Sequence, residues 1–334
     1  MKLNPSTSKP VVGYVNIQGK STPVDRATKQ KLDAHDKFKK KNPQVKEFSN
    51  LSNFSNEKNK IAVIHADGNG LGQLVPKLGK ELSAFSQALD KATKKAFDDA
   101  KQDDMDIRDV ILGGDDMVVI CNANNALNFT KSFLENFEKE TEKIEAIKGL
   151  TACAGIAYCN EKYPFHYAVN LAEELCGQAK KDSKRKASCL MFHNIQSSNF
   201  QSWDKFVKDE LTISNDEETI RCDFGAYYLE SQTEPMIQNL ITVIESYRLD
   251  GSPISRIRAW MGELYNSKLY SQSMLKRINV MAEHKSEWRE EIMNQNLKNL
   301  YDSLSNENLI IKKDSVWKTP IYDILQILSA TEAK

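Results

Sequence analysis

The sequence predicts an α+β protein: a ferredoxin-like βαββαβ unit, with an antiparallel sheet carrying helices on one face, followed by an all-helical C-terminal domain. Three observations carry that reading. Short apolar, β-rich runs at 61–66, 107–112, 117–121 and 149–158 alternate in the required order with amphipathic stretches at 78–100 and 126–144. Two of those runs are joined through Gly113-Gly-Asp-Asp116, a hairpin signature with acidic residues at its tip. Beyond about His193 strand signals stop and helical periodicity takes over.

At 334 residues the chain is long enough for two cores. Three segments are expected: an N-terminal extension of undetermined structure over 1–60, the βαββαβ domain over 61–195, and the helical domain over 196–334. Lys plus Arg equals Asp plus Glu at 46 each, which argues against a global field that recruits nucleic acid or an anionic membrane. The N-terminus lacks the apolar core of a secretory signal and no run approaches a membrane span, so a cytoplasmic location is expected. Cys121, Cys153, Cys159, Cys176, Cys189 and Cys222 show no CxxC pairing and sit in strand-like or helix-like segments, so they read as reduced core residues rather than a zinc site.

Taken in order, residues 11–17 predict a short strand, and 20–59 is polar, Lys-rich and interrupted by Pro43. His35-Asp36 within it spells the dyad of metal-dependent phosphohydrolases, but no further ligands follow, which leaves a solvated helix face. The organised part opens with Ile61-Ala-Val-Ile-His-Ala66 and runs into Asp67-Gly-Asn-Gly-Leu-Gly72, a strand followed by a glycine-rich turn and a helix. Leu82, Phe85, Leu89, Ala92, Ala96 and Phe97 mark one buried helix face, as do Leu127, Phe129, Phe133, Leu134 and Phe137, whose rings are core rather than a base-stacking platform. Residues 165–181 predict another helix and 187–192 one strand more. Helices are then expected at 235–247, 254–265, 272–282, 288–304 and 320–328, the last opening on Pro320.

In this order Asp67 ends the first strand while Asp115 and Asp116 occupy the neighbouring hairpin tip, so carboxylates far apart in sequence converge. Their repulsion is costly without a cation, and an all-oxygen set suits Mg2+ or Mn2+. Such a cradle serves nucleotidyl transfer, in which a hydroxyl attacks an α-phosphate and pyrophosphate leaves. Gly68, Gly70 and Gly72 let the backbone approach a triphosphate, and Gly113 and Gly114 leave room beside the carboxylates. Each motif alone reads equally well as a strand exit or a polar turn; both together in one βαββαβ order favour the cradle. Lys180 opens the run Lys180-Lys-Asp-Ser-Lys-Arg-Lys186 at a helix end, where lysines suit the dipole and where Lys180 or Lys181 can instead reach a donor phosphate. His65 shares the sheet face of Asp67 and is read as packing; His166, His193 and His284 have no carboxylate at a diagnostic spacing.

The motifs Asp67-Gly-Asn-Gly-Leu-Gly72, Gly113-Gly-Asp-Asp116, Leu150-Thr-Ala-Cys-Ala-Gly-Ile-Ala157 and Ala172-Glu-Glu-Leu-Cys-Gly-Gln-Ala-Lys180 resemble the GGDD-bearing palm of the large polymerase-like subunit of type III CRISPR effector complexes, across about 61–193. The chain also looks like the wider class of GGDEF diguanylate cyclases and minimal CRISPR polymerases. More loosely, Ser252-Pro-Ile-Ser-Arg-Ile-Arg258 and Thr319-Pro-Ile-Tyr-Asp-Ile-Leu325 are similar to the C-terminal helical domain of that subunit. The resemblance implies synthesis of a cyclic oligonucleotide or cyclic dinucleotide from ATP or another nucleoside triphosphate. Asp67, Gly68, Asp115 and Asp116 would hold the metals, the backbone of Gly68, Asn69, Gly70 and Leu71 would cradle phosphates beside Gly113 and Gly114, and Lys180 matches the family's helix-ending lysine. No nuclease domain, first palm or four-cysteine zinc element is recognisable, so the expectation is a stand-alone antiphage synthase that works as a homodimer or with another palm under an RNA or protein activator. The competing expectation is a catalytically silent, nucleotide-binding palm that scaffolds a CRISPR-like assembly; a template-dependent polymerase lacks a basic groove for a duplex.

Overall fold

The computed structural model describes residues 2–17, 19–41, 50–102, 105–145, 148–197, 202–214, 218–282 and 290–332. The chain forms two compact units, Met1–Asn53 and Phe54–Lys334. In the first, strands β1 (Gly13–Ile17) and β2 (Lys20–Val24) pair antiparallel and lead into helix α1 (Arg26–Lys41). Asp25 starts that helix: its Oδ1 accepts from the Thr28 amide at 3.0 Å and its Oδ2 from the Thr7 hydroxyl at 2.6 Å. These bonds hold the Asp25 carboxyl down at about 2, the Thr7 hydroxyl contributing most. The segment of undetermined structure is thus a hairpin and a helix where it is described. Pro43 lies outside the described residues.

The second unit is built on β3 (Lys60–Gly68), the short helix α2 (Leu71–Leu74), α3 (Leu82–Ala100), β4 (Ile107–Gly113), β5 (Asp116–Asn122), α4 (Ala126–Thr141), β6 (Ala152–Asn160), α5 (Phe165–Asp182) and β7 (Cys189–Asn194). The strands lie in the order β7-β6-β3-β5-β4. The βαββαβ part, β6-β3-β5-β4, is antiparallel throughout, and only the added β7 pairs parallel, with β6. Successive residues Ile61 to Ile64 of β3 are buried, which means both sheet faces are covered. α3 and α4 pack through Phe97 on Phe129, with ring centroids 5.8 Å apart. The second layer is α5, and the reason it can sit there is Gly155. A Cβ on that residue would lie 2.0 Å from the Ala172 carbonyl oxygen, so only glycine admits the helix.

Beyond β7 come α6 (Trp203–Glu210), β8 (Thr212–Ser214), β9 (Thr219–Arg221), β10 (Tyr227–Tyr228), α7 (Ile237–Arg248), α8 (Ile254–Asn266), α9 (Lys268–Ala282), α10 (Glu290–Leu300), β11 (Ile311–Lys313), β12 (Val316–Lys318) and α11 (Ile321–Ala330). The expected helices are present, and short strands run between them. β10 pairs with β7 as a sixth strand of the main sheet, and β11-β12-β9-β8 form a second, small sheet. At two or three residues each, these strands are too short to write a period-two pattern. His284 and the expected helix start at Trp288 lie outside the described residues. α11 docks on the sheet: the Asn194 amide donates to Gln326 Oε1 at 2.9 Å and Asn56 Nδ2 to the Ala330 carbonyl at 2.9 Å. All six cysteines are free and buried, and no described helix is long and apolar enough to cross a membrane.

Candidate functional site

β3 pairs residue for residue with β5 as far as Ala66, which faces Met117, and with β6 to its end, where Asp67 faces Cys153 and Gly68 faces Ala152. The β4–β5 hairpin closes with Gly113 opposite Asp116, leaving Gly114 and Asp115 as its two-residue turn. Gly114 has φ 62°, the left-handed value that such a turn demands at its first position and that glycine adopts without strain. This register carries the hairpin tip to the end of β3. A Cβ built on Gly68 would stand 3.0 Å from Asp115 Cβ and 3.2 Å from Asp115 Oδ2. The tip is also held from behind. The Thr93 hydroxyl on α3 donates to the Gly114 carbonyl at 2.5 Å, and the Gly114 amide donates to Asp90 Oδ1 at 3.4 Å.

Asp67, Asp115 and Asp116 therefore meet at one sheet end. Burial above all, then the hydrogen-bonded and charged Asp67 beside it, pushes the Asp115 carboxyl up to about 6. His65, one alternation back on β3, places Nε2 3.6 Å from Asp116 Oδ1. Lys180, buried on the last turn of α5, donates from Nζ to Asp67 Oδ2 and, at 2.8 Å, to the Gly68 carbonyl. The lysine predicted to reach a phosphate is thus placed against the carboxylate and carbonyl at the strand end.

The glycine-rich turn divides into parts. Gly70 takes φ 79° and precedes α2, and Leu71 is buried. Asn69 is buried and faces inward: its backbone amide donates to the Thr151 carbonyl at 2.8 Å and its Nδ2 to Thr151 Oγ1 at 2.8 Å, so its side chain locks the turn to the chain entering β6. The space beside Gly113 holds the Asp90 carboxylate, 3.4 Å from where a Cβ would stand. Asp90, Thr93 and His65 are the residues the sequence reading did not assign to the site. Only His65 left a signal, its alternation with Asp67.

A cleft of about 690 Å3 opens beside Asp67 and Lys180, walled by Glu173, Gly177 and Lys181 of α5 and by Trp203 of α6. The Trp203 amide donates to Glu174 Oε2 at 2.7 Å, tying the two helices together. Among the described residues no group of three or more His, Cys, Asp or Glu side chains is already set around a metal position. The chemistry of the donors nevertheless fits a hard cation. Asp67, Asp115, Asp116 and the Gly68 carbonyl are all oxygen, and the Asp115 carboxyl, raised first by burial, is raised further by the neighbouring Asp67 and Asp116.

A sheet of βαββαβ order with carboxylates at the end of its first strand and on the adjoining hairpin has the architecture of a palm domain. Residues 60–189 match the family model of the Cas10/Cmr2 second palm domain. No curated protein matches the sequence. Among solved structures, the crystal structure of a Csm1-Csm4 cassette in complex with pppApApA aligns over 84% of this chain and 39% of its own, at 14% identity and TM-score 0.51. A cassette in complex with pppApA aligns over 41% of this chain and 21% of its own, at 18% identity and TM-score 0.35. The active GGEEF domain of a diguanylate cyclase from Vibrio cholerae aligns over 46% of this chain and 90% of its own, at 13% identity and TM-score 0.33. The chain thus spans well under half the length of either cassette chain.

Proposed function

We propose that the protein is a metal-dependent nucleotidyl cyclase that joins nucleoside triphosphates into a cyclic oligonucleotide or cyclic dinucleotide signal. The observation that carries this reading is the convergence of Asp67, Asp115 and Asp116 at one sheet end beside an open cleft. Magnesium or manganese, held by the three carboxylates and the Gly68 carbonyl, would supply the Lewis-acid charge that favours attack of a 3′- or 2′-hydroxyl on an α-phosphate. The protein's own groups do the rest. The cleft, within the size range of nucleotide sites, takes the nucleoside. The backbone at Gly70 and Leu71 approaches the phosphates, aided by the open space at Gly70, while the Asn69 amide stays bonded to Thr151. Lys180 keeps a positive charge at the strand end, where it balances Asp67 and favours the polyanionic substrate. The hairpin clamp by Asp90 and Thr93 fixes the carboxylates in advance, so little reorganisation is left for the reaction.

ATP is the first substrate to test, because a solved chain that shares the fold over 84% of this one is in a cassette in complex with pppApApA. A cyclic product requires two substrates to meet, which favours a homodimer or pairing with another palm. A cytoplasmic role in antiphage defence, under an RNA or protein activator, completes the proposal.

The test is pyrophosphate release and product mass spectrometry after incubation with ATP and Mg2+ or Mn2+. The wild-type chain is expected to yield a phosphatase-resistant product, and Asp115→Ala with Asp116→Ala to lose it by at least about a thousandfold. Undiminished turnover in the double variant sinks the site. Tight ATP binding with no product under any metal or activator instead supports a silent palm that scaffolds an assembly.

A further inference from the structure

The balanced totals of charge conceal an uneven distribution. Residues 1–53 hold eleven Lys or Arg against four Asp or Glu, while the rest of the chain holds thirty-five against forty-two. A basic N-terminal unit and an acidic remainder cancel, so the neutral total says nothing about what the first unit attracts.

The basic residues concentrate on α1. Its sixteen residues carry Arg26, Lys29, Lys31, Lys37 and the closing Lys39-Lys40-Lys41, against Asp33 and Asp36. α1 buries none of its residues. Among the described residues, none of its cations takes part in an ion pair. A helix of that length with no buried face gains little from packing and is marginal in water. Its seven like charges repel one another as well. Both costs are relieved by a polyanion laid along the helix.

The composition of α1 separates two kinds of polyanion. A helix that lies in a membrane interface needs a band of large apolar residues opposite its lysines. α1 offers only Leu32 and Phe38, which are six positions apart and fall on different faces of the helix. Nucleic acid needs no such band. It needs cations for phosphates and, when single-stranded, ring faces for unpaired bases. Tyr14 on β1 and Phe38 on α1 supply rings that are 55% and 44% exposed. We propose that the N-terminal unit, residues 1–53, binds single-stranded nucleic acid along α1, with Lys37, Lys39, Lys40 and Lys41 on phosphates and Tyr14 and Phe38 on bases.

The test uses the full chain without nucleotide or divalent cation. Binding to a labelled single-stranded RNA of mixed sequence is followed by anisotropy across a salt series, with the same strand as DNA, the duplex, and phosphatidylserine vesicles as competitors. Replacing the four lysines together (K37E, K39E, K40E, K41E) is expected to weaken binding more than about tenfold and to flatten the log–log salt slope by about 3, near 0.7 for each phosphate no longer neutralised. The melting transition of residues 54–334 should not move, since the substitutions lie in the other unit. The Y14A, F38A pair should weaken binding about fivefold or more at an unchanged slope. Wild-type affinity in the four-lysine variant overturns the proposal, as does preferential capture by duplex or by vesicles. The readout involves no turnover, so its failure leaves the palm reading standing, and loss of cyclase activity leaves this one standing.

Discussion

Gly68 decides, by what it lacks, where its neighbours stand. A methyl group there meets Asp115 Cβ at 3.0 Å, an atom next to the backbone that moves only with the hairpin, and Leu71 Cδ1 at 3.1 Å, a side-chain end that can turn aside. Gly68→Ala is therefore expected to push the hairpin tip away from Asp67. The stability cost is about 1–3 kcal/mol, as for other overpacked sites. The rate should fall as well, by about tenfold, because the tip must give by a few tenths of an ångström and a displacement near 1 Å at a reacting centre costs about a hundredfold. Melting and pyrophosphate release measured on one preparation separate the two effects; a destabilised variant with full rate would remove Asp115 from the reacting centre. At this scale the sequence was legible where chemistry-bearing residues stand among glycines, as Asp67, Asp115 and Asp116 do. It placed Asn69 in the phosphate cradle and did not show that its amide and side chain bond inward to Thr151, because the direction of a side chain in a tight turn depends on which strand runs alongside.

One element, α3, sets the hairpin by reaching across from another layer. Thr93, fully buried, donates to the Gly114 carbonyl, and nothing in its own helix marks it as anything but core. Thr93→Val keeps the shape and removes the donor. That leaves a partly buried carbonyl with one bond fewer, at a cost of about 1–3 kcal/mol in urea denaturation. Turnover should drop about tenfold as the tip loosens, and Thr93→Ser should restore both. Equal loss in the serine variant would point to packing instead. The elements themselves were largely written in the pattern. α3, α4 and α5 fall within a few residues of their apolar stripes, and the hairpin sits where two glycines and two aspartates interrupt β-rich runs. What the pattern missed is α6 and the strands β8 to β12. α6 spans only eight residues and the strands two or three each, so their placement comes from long-range pairing, such as β10 on β7, rather than local periodicity.

The C-terminal elements close over the main sheet at His193, which lies on β7 beneath α6 and α11. Rings from both helices surround it, with centroids 4.5 Å away at Phe206, 5.4 Å at Trp203 and 6.4 Å at Tyr322. That such distant aromatics would gather on this histidine could not be read from its sequence neighbours. Burial here holds the imidazole down at about 3, with nearby Lys60 adding to the effect and a hydrogen bond with Gln326 opposing it. The sign follows from which state takes the proton. Above its unfolded value near 6.5 the ring is neutral in both states, and stability does not depend on it. Between 6.5 and about 3 only the unfolded chain is protonated there, so stability falls by up to about 1.4 kcal/mol for each pH unit lowered. His193→Phe keeps a ring in the aromatic box and removes the titration. Chemical denaturation of both proteins from pH 7.5 to 4.5 should show the wild type losing stability faster below pH 6.5, the difference growing as the pH drops. Parallel curves would mean that His193 accepts a proton in the folded state and that the seal between α6, α11 and the sheet opens to water.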